Sequence, residues 1–315
     1  MALSDFLSAI RELILDDCLA DLSAEERRSS LEVRFTRLSA EQLDDLASIP
    51  PGRLSTYTDL IFAGERSTLE WVFPVSFEGI HRIRAAGGDG RPPRLADFEM
   101  VRDLHRFRPW KSSSQRRLAA DFADFIRAER ADWLGVWGGL EELVEFERSE
   151  LDVFYAEDVA HERFTPQVAV SLVALSVEEL MMRRIVLPAY VVVRSFHYDI
   201  ANMVHRYRKD GTISDPLPAP AATLCRAACG REPESLMTRW VDLAAVEFES
   251  LLRLPRDRGI EINDFAAAYL ELRAGDKALD EQSAFAEFFE ALLRLLESGV
   301  LLLSPPADKR GTASQ

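Results

Sequence analysis

A proline set in the middle of an apolar surface constrains this chain most. Residues 53–83 read RLSTYTDLIFAGERSTLEWVFPVSFEGIHRI, directly after Pro50-Pro51-Gly52. The spacing is helical until Phe73-Pro74-Val75. Pro74 lacks the donor that a helix interior needs, and its ring clashes with the turn before it. One helix must therefore end or kink near residues 71–73. The segment has no cysteine, and its one histidine, His81, has no ligand-type neighbour. It offers shape rather than chemistry.

Helical period dominates up to residue 165. Residues 3–21 and 40–48 space apolar side chains three and four apart, and Ser39 ahead of Glu41 and Gln42 offers an N-cap. RAAGGDGRPPR (84–94) is a loop by composition. Helical stretches beginning LADFEMV, SSSQRRL and WGGLEEL follow, so residues 1–165 read as a bundle with short connections. The pattern then changes. IVLPAYVVVRSF (185–196) is dense in β-branched residues, and Pro188 suits only an edge or a strand start. Residues 166–209 thus read as a connecting segment with one extended strand.

DGTISDPLPAPAAT (210–223) is a proline-rich linker or loop. TLCRA and LMTRWVDL flank ACGREPES as a hairpin with a broad turn. AAVEFESLLRL, INDFAAAYLEL and SAFAEFFEALLRLLES follow as helices, and GVLLL as a last strand. That is the element order of a winged helix-turn-helix over 210–304, with 305–315 as a disordered tail. The expected fold class is mostly α with small β: an N-terminal helical bundle and a C-terminal winged-helix-like domain.

Charge narrows the partners. The chain of 315 residues carries a formal net charge of −15. Duplex affinity comes largely from Lys and Arg neutralising phosphates, so long-range attraction to nucleic acid is missing. Arg106, Arg108, Lys111, Arg116 and Arg117 form the candidate basic patch, though such clusters are more often solvated faces or partner contacts. Three cysteines, Cys18, Cys225 and Cys229, make no disulfide framework at this length. Asp5, Arg11, Glu12, Asp16 and Asp17 interrupt the first apolar stretch, unlike a secretory signal. No run approaches the roughly 20 apolar residues of a membrane span. A cytoplasmic chain with neither nucleic acid nor membrane as partner is expected.

Several motifs share one resemblance. Arg53-Leu-x-x-Tyr57 is followed by Leu69-Glu-x-x-Phe73-Pro74-Val75, and ADFADFI by an acidic, aromatic stretch that ends in Tyr155-Ala156. LSVEELMMRRIVLPAYVVVRS and Tyr198-Asp199-Ile200-Ala201-Asn202-Met203 come next. This order resembles a bacterial family long labelled a DNA-binding domain. Its members are partners of multinuclear non-haem iron oxidative enzymes in the biosynthesis of ribosomally made, modified peptides. The chain departs from that pattern at Asp199, where the family often has proline, and at Val204, where it has tryptophan. The resemblance implies a helical domain that docks on the iron enzyme and a winged-helix recognition element that holds the leader of a precursor peptide. It implies no catalytic residue and no cofactor on this chain, with the iron on the partner. Arg53, Tyr57, Phe73 and Pro74 carry the signature and are the expected partner interface.

A disordered leader is caught most simply as a strand added to a sheet edge, with a groove for its apolar side chains. Leu236, Met237, Thr238, Arg239 and Trp240 offer the edge, and Phe285, Phe288, Phe289 and Leu292 the groove. The same four apolar residues sit at core spacing, which more often packs a domain than binds a ligand. Cys225, Cys229, His197 and His205 are of zinc-ligand type, but structural sites favour tighter pairs, and no metal is expected. Paired acids such as Glu141-Glu142 read as solvated helix faces. The competing function is a winged-helix transcriptional regulator. Its recognition helix, residues 284–298, would set Glu287, Glu290 and Glu297 against Arg294, the wrong sign for phosphates.

Overall fold

The computed structural model describes residues 3–304 except 17, 20–21, 89, 109–113, 158–164, 215, 234 and 275–279. The expected tail, Asp17 and Lys111 lie outside these residues. Among the described residues the protein is mostly helical with two small antiparallel sheets. Its chain divides into two compact units, residues 1–71 with 88–125 and residues 72–87 with 126–315.

The first unit is built from α1 (Leu3–Leu15), α2 (Ala24–Arg34), α3 (Ala40–Ala47), most of α4 (Pro51–Val72), α6 (Pro93–Phe107) and the start of α7 (Gln115–Glu129). Ser39 caps α3 with Gln42 in a reciprocal box, and Ser23 does the same for α2 with Glu26. Leu13, Leu31, Leu43, Leu46 and Leu54 form the core of these first helices. Arg27 is buried there, and its guanidinium donates to the carbonyls of Leu19, Leu22, Ala47 and Ile49. A charged fork closes the backbone ends that the short helices leave open. On α4, Glu65 is buried and hydrogen-bonds Nε2 of His105 from α6.

The second unit begins where Pro74 stops α4. Helix α5 (Pro74–Ala86) takes that proline at its first turn, as the missing donor requires. Then come α8 (Ala131–Val136), α9 (Gly139–Phe154), α10 (Pro166–Val173) and α11 (Val177–Met181). After them the chain runs β1 (Arg184–Val186), β2 (Val192–Phe196), α12 (Ile200–Asp210), β3 (Cys225–Arg231) and β4 (Thr238–Asp242). It ends with α13 (Ala245–Arg253), β5 (Ile260–Glu261), α14 (Ile262–Arg273), α15 (Glu281–Glu297) and β6 (Leu302–Leu303).

One sheet has the order β5-β1-β6 and the other β2-β3-β4. The β-branched run expected as a single strand is two, because Pro188 falls between β1 and β2 and sends them to different sheets. Residues 166–209 therefore do more than connect: they give the first sheet its centre and the second an edge. Strand β3 also runs further than expected, through Ala228 and Cys229, because β2 and β4 pair with it on both sides. The broad turn shrinks to residues 232–237. Phe248, Leu251, Phe265, Phe288, Leu295 and Leu301 pack one core against both sheets. Gly299 ends α15 with φ +69°, where a Cβ would lie 1.9 Å from the Arg231 carbonyl oxygen. Only glycine fits that crossing. Among the described residues no helix is long and apolar enough to cross a membrane.

Candidate functional site

Strand β4 is an edge. Its five residues pair with β3 from Thr238 opposite Arg231 to Asp242 opposite Ala227, and no described strand pairs on its other side. Beside it lies an open trough of about 830 Å³, lined by Thr238, Arg239 and Trp240 of β4, Asn202 and His205 of α12, and Phe146 of α9. Trp240 stacks on Phe146 with ring centres 4.2 Å apart and meets Phe196 edge-on at 5.8 Å. These two rings hold the indole in place. Its Nε1 is buried with no hydrogen-bond acceptor among the described residues.

The turn into β4 is tightly held. Glu232 N–H donates to the Met237 carbonyl, Leu236 N–H to the Glu232 carbonyl, and Ser235 Oγ to the Glu232 carboxylate. Leu236 is forced to φ +61°, a region costly for a branched side chain, and both Leu236 and Met237 are exposed. The five expected edge residues therefore stay together, two at the turn and three on the strand.

The expected groove on α15 does not form as a unit. Phe288 and Leu292 are core residues; Phe288 packs against Phe265 and Tyr269, while Phe285 and Phe289 are half-buried. The helical stripe faces inward because α14 packs against it through Phe265 and Tyr269. A second hollow, about 850 Å³, opens between α13, α14 and α15, and none of those four residues lines it. Tyr269, Arg273, Glu287 and Arg294 do. Arg294 also joins α15 to β4, donating to the Asp242 carbonyl and the Glu247 carboxylate. Nothing in the sequence marks that tie, since its partners lie 47 and 52 residues away.

The signature residues separate. Arg53 and Tyr57 are exposed on α4 in the first unit. Phe73 is fully buried and Pro74 half-buried in the second, so Phe73 cannot meet a partner as expected. Its role is internal, at the start of α5, where Val75 N–H, Ser76 N–H and Ser76 Oγ all donate to the Glu147 carboxylate at 2.6–2.9 Å.

Contrary to the solvated face expected at Glu141-Glu142, both carboxylates on α9 are engaged, Glu141 with Arg127 and Glu142 with the residues just ahead of α12. Glu142 accepts from the His197 and Tyr198 amides and pairs with His197 Nδ1, while Glu150 pairs with Arg208. Burial pushes the Cys229 thiol well up and raises that of Cys225. Among the described residues no group of three or more His, Cys, Asp or Glu is placed to hold a metal. The chain matches no known family model and no curated protein.

Proposed function

We propose that this chain is a non-catalytic recognition subunit that holds the leader of a ribosomally made precursor peptide and presents it to a multinuclear non-haem iron oxidase. The single observation that carries the reading is the free β4 edge beside the Trp240 trough. An unpaired edge supplies main-chain donors and acceptors to any extended segment, and the trough receives every second side chain. Ordering a flexible leader opposes binding, so a rigid, ring-backed edge is the economical place to do it. Once held, the leader tethers its modifiable portion near the partner at up to millimolar effective concentration for a short linker.

The β3–β4 hairpin followed by α13, α14 and α15 supports a winged-helix-like reading of residues 210–304. In this version β2 supplies the third strand of the hairpin sheet, while β6 pairs with β1. Arg53 and Tyr57 remain available to a protein partner; iron and oxygen chemistry belong to that enzyme. The test is retention on the tagged full chain from its own host's lysate, followed by deuterium exchange with the peptide recovered. An iron-containing enzyme and a short peptide are expected to co-elute, with exchange slowed across residues 238–242. Retention of DNA, or a peptide that protects only other residues, would overturn the proposal.

A further inference from the structure

Strand β4 turns only alternate residues to its open side. The Met237 carbonyl accepts from the Glu232 N–H at one end, and Leu243 N–H donates to the Arg226 carbonyl at the other. Between them Arg239 stands opposite Gly230 and Val241 opposite Ala228. Hydrogen-bonded and non-bonded pairs alternate along an antiparallel ladder. The main-chain groups of Arg239 and Val241 therefore point to β3, and those of Thr238, Trp240 and Asp242 point outward. An added segment thus has three residues on which to form its ladder.

One of the three is already engaged. From α15, Arg294 donates through Nη1 to the Asp242 carbonyl and through Nη2 to the Glu247 carboxylate. Glu247 is buried, and its other oxygen accepts from the Ala244 N–H at the start of α13. A guanidinium is a planar, rigid fork, so anchoring one nitrogen on Glu247 fixes where the other lies. An added strand would run about 4.8 Å from β4. A nitrogen bonded to an outward carbonyl stands inside that gap, where the N–H of the added strand would have to be.

We infer that Arg294 is a register stop: it ends the usable edge at Trp240, so the held segment pairs with Thr238 and Trp240 and leaves β4 before Asp242. The inference rests on the reading of β4 as the peptide edge and gives that edge its length and alignment. With three outward residues a segment could slip by two and keep two of its pairs; with two, the same slip leaves one. A single register is favoured as a result. Opposed residues share a face of the sheet, so the segment residue opposite Trp240 sets its side chain in the trough with the indole, Asn202 and His205. That residue is the anchor, and the selectivity of the site concentrates there. The slowing of exchange expected over residues 238–242 then falls on Thr238 and Trp240.

The test selects peptides from a displayed library of random dodecapeptides on the full chain. Amide exchange is then followed residue by residue by NMR, with the most enriched peptide at about ten times its Kd. Thr238 and Trp240 are expected to slow about tenfold, and Asp242 to keep its free rate. In Arg294→Met, which keeps an aliphatic stem and has no donor, Asp242 should slow with them. Glu247→Gln keeps an acceptor for the Ala244 N–H and removes the charge that anchors the fork, so it should give the same change without touching Arg294. Slowing of Asp242 in the unaltered chain, or an Asp242 indifferent to both substitutions, would overturn the register stop and leave the edge intact. Absence of slowing at both Thr238 and Trp240 would overturn the peptide edge itself, and this inference with it.

Discussion

Glu147 ties two distant stretches of chain with one carboxylate. It is buried in α9 and takes the place of an N-cap for α5, whose preceding residue, Phe73, has no side chain able to accept. Burial pushes its pKa from the ordinary 4.5 up to about 8, outweighing the three donors that pull it down, with Glu150 adding to the rise. The sign follows from linkage. A carboxyl whose pKa is higher in the folded than in the unfolded chain stabilises fully below the unfolded value. That contribution is lost as pH climbs through the folded value. Stability should therefore decline between pH 4.5 and about 8 on account of this group. Glu147→Gln, which carries no titrating proton, is expected to flatten that decline, as denaturant midpoints measured across the range will show. A slope unchanged in the variant would assign the decline to other groups. None of this was legible in ELVEFERSEL, because the donors arrive from 71 and 72 residues away. Local charge pattern reports the helix and says nothing of what packs on it.

Among the elements, helices with strong period were readable and short strands were not. Pro74 fixed the end of α4, and the three apolar stretches after residue 244 became α13, α14 and α15. Helix α2 has little apolar period, and its one sequence signal is the capping box of Ser23 and Glu26. The strands depended on pairing: β1 and β2 part at Pro188, and β3 lengthens only because two neighbours flank it. The site divides the same way. Edge residues of β4 were legible from alternation, whereas inward packing of Phe288 required knowing where α14 lies. The turn before β4 gives the prediction at this scale. Leu236 is held at φ +61° by hydrogen bonds from its neighbours, a backbone state that is strained by about 1–2 kcal/mol in a residue with a Cβ. Leu236→Gly should thus stabilise the protein by about 1 kcal/mol, read as a rise in denaturation midpoint. The same change removes an exposed leucine from the proposed peptide edge, so peptide retention should fall while stability rises. Stability and retention moving together would mean the leucine serves the fold alone.

For the molecule as a whole, charge decides between holding a peptide and holding DNA. Net charge alone leaves room for a local basic patch, so the disposition of individual cations matters more. In the candidate cluster Arg108 is bound to Asp121 and Asp124, Arg106 to Asp103, and Arg117 approaches Asp121. On α15, Arg294 is spent on Asp242 and Glu247, and Glu287 is matched by Arg273 from α14, leaving Glu290 and Glu297 to face outward. A phosphate approaching either surface would have to displace carboxylates already in contact with the guanidinium groups. Each phosphate contact forgone also forgoes the counterion release that drives duplex binding. The full chain should accordingly give no mobility shift with mixed-sequence duplex DNA at physiological salt. Lowering the salt should not rescue it, since binding steepens at low ionic strength only when cations are free to meet phosphates. A shift that strengthens steadily as salt falls would restore the regulator reading, and with it a use for α15 that its carboxylates argue against.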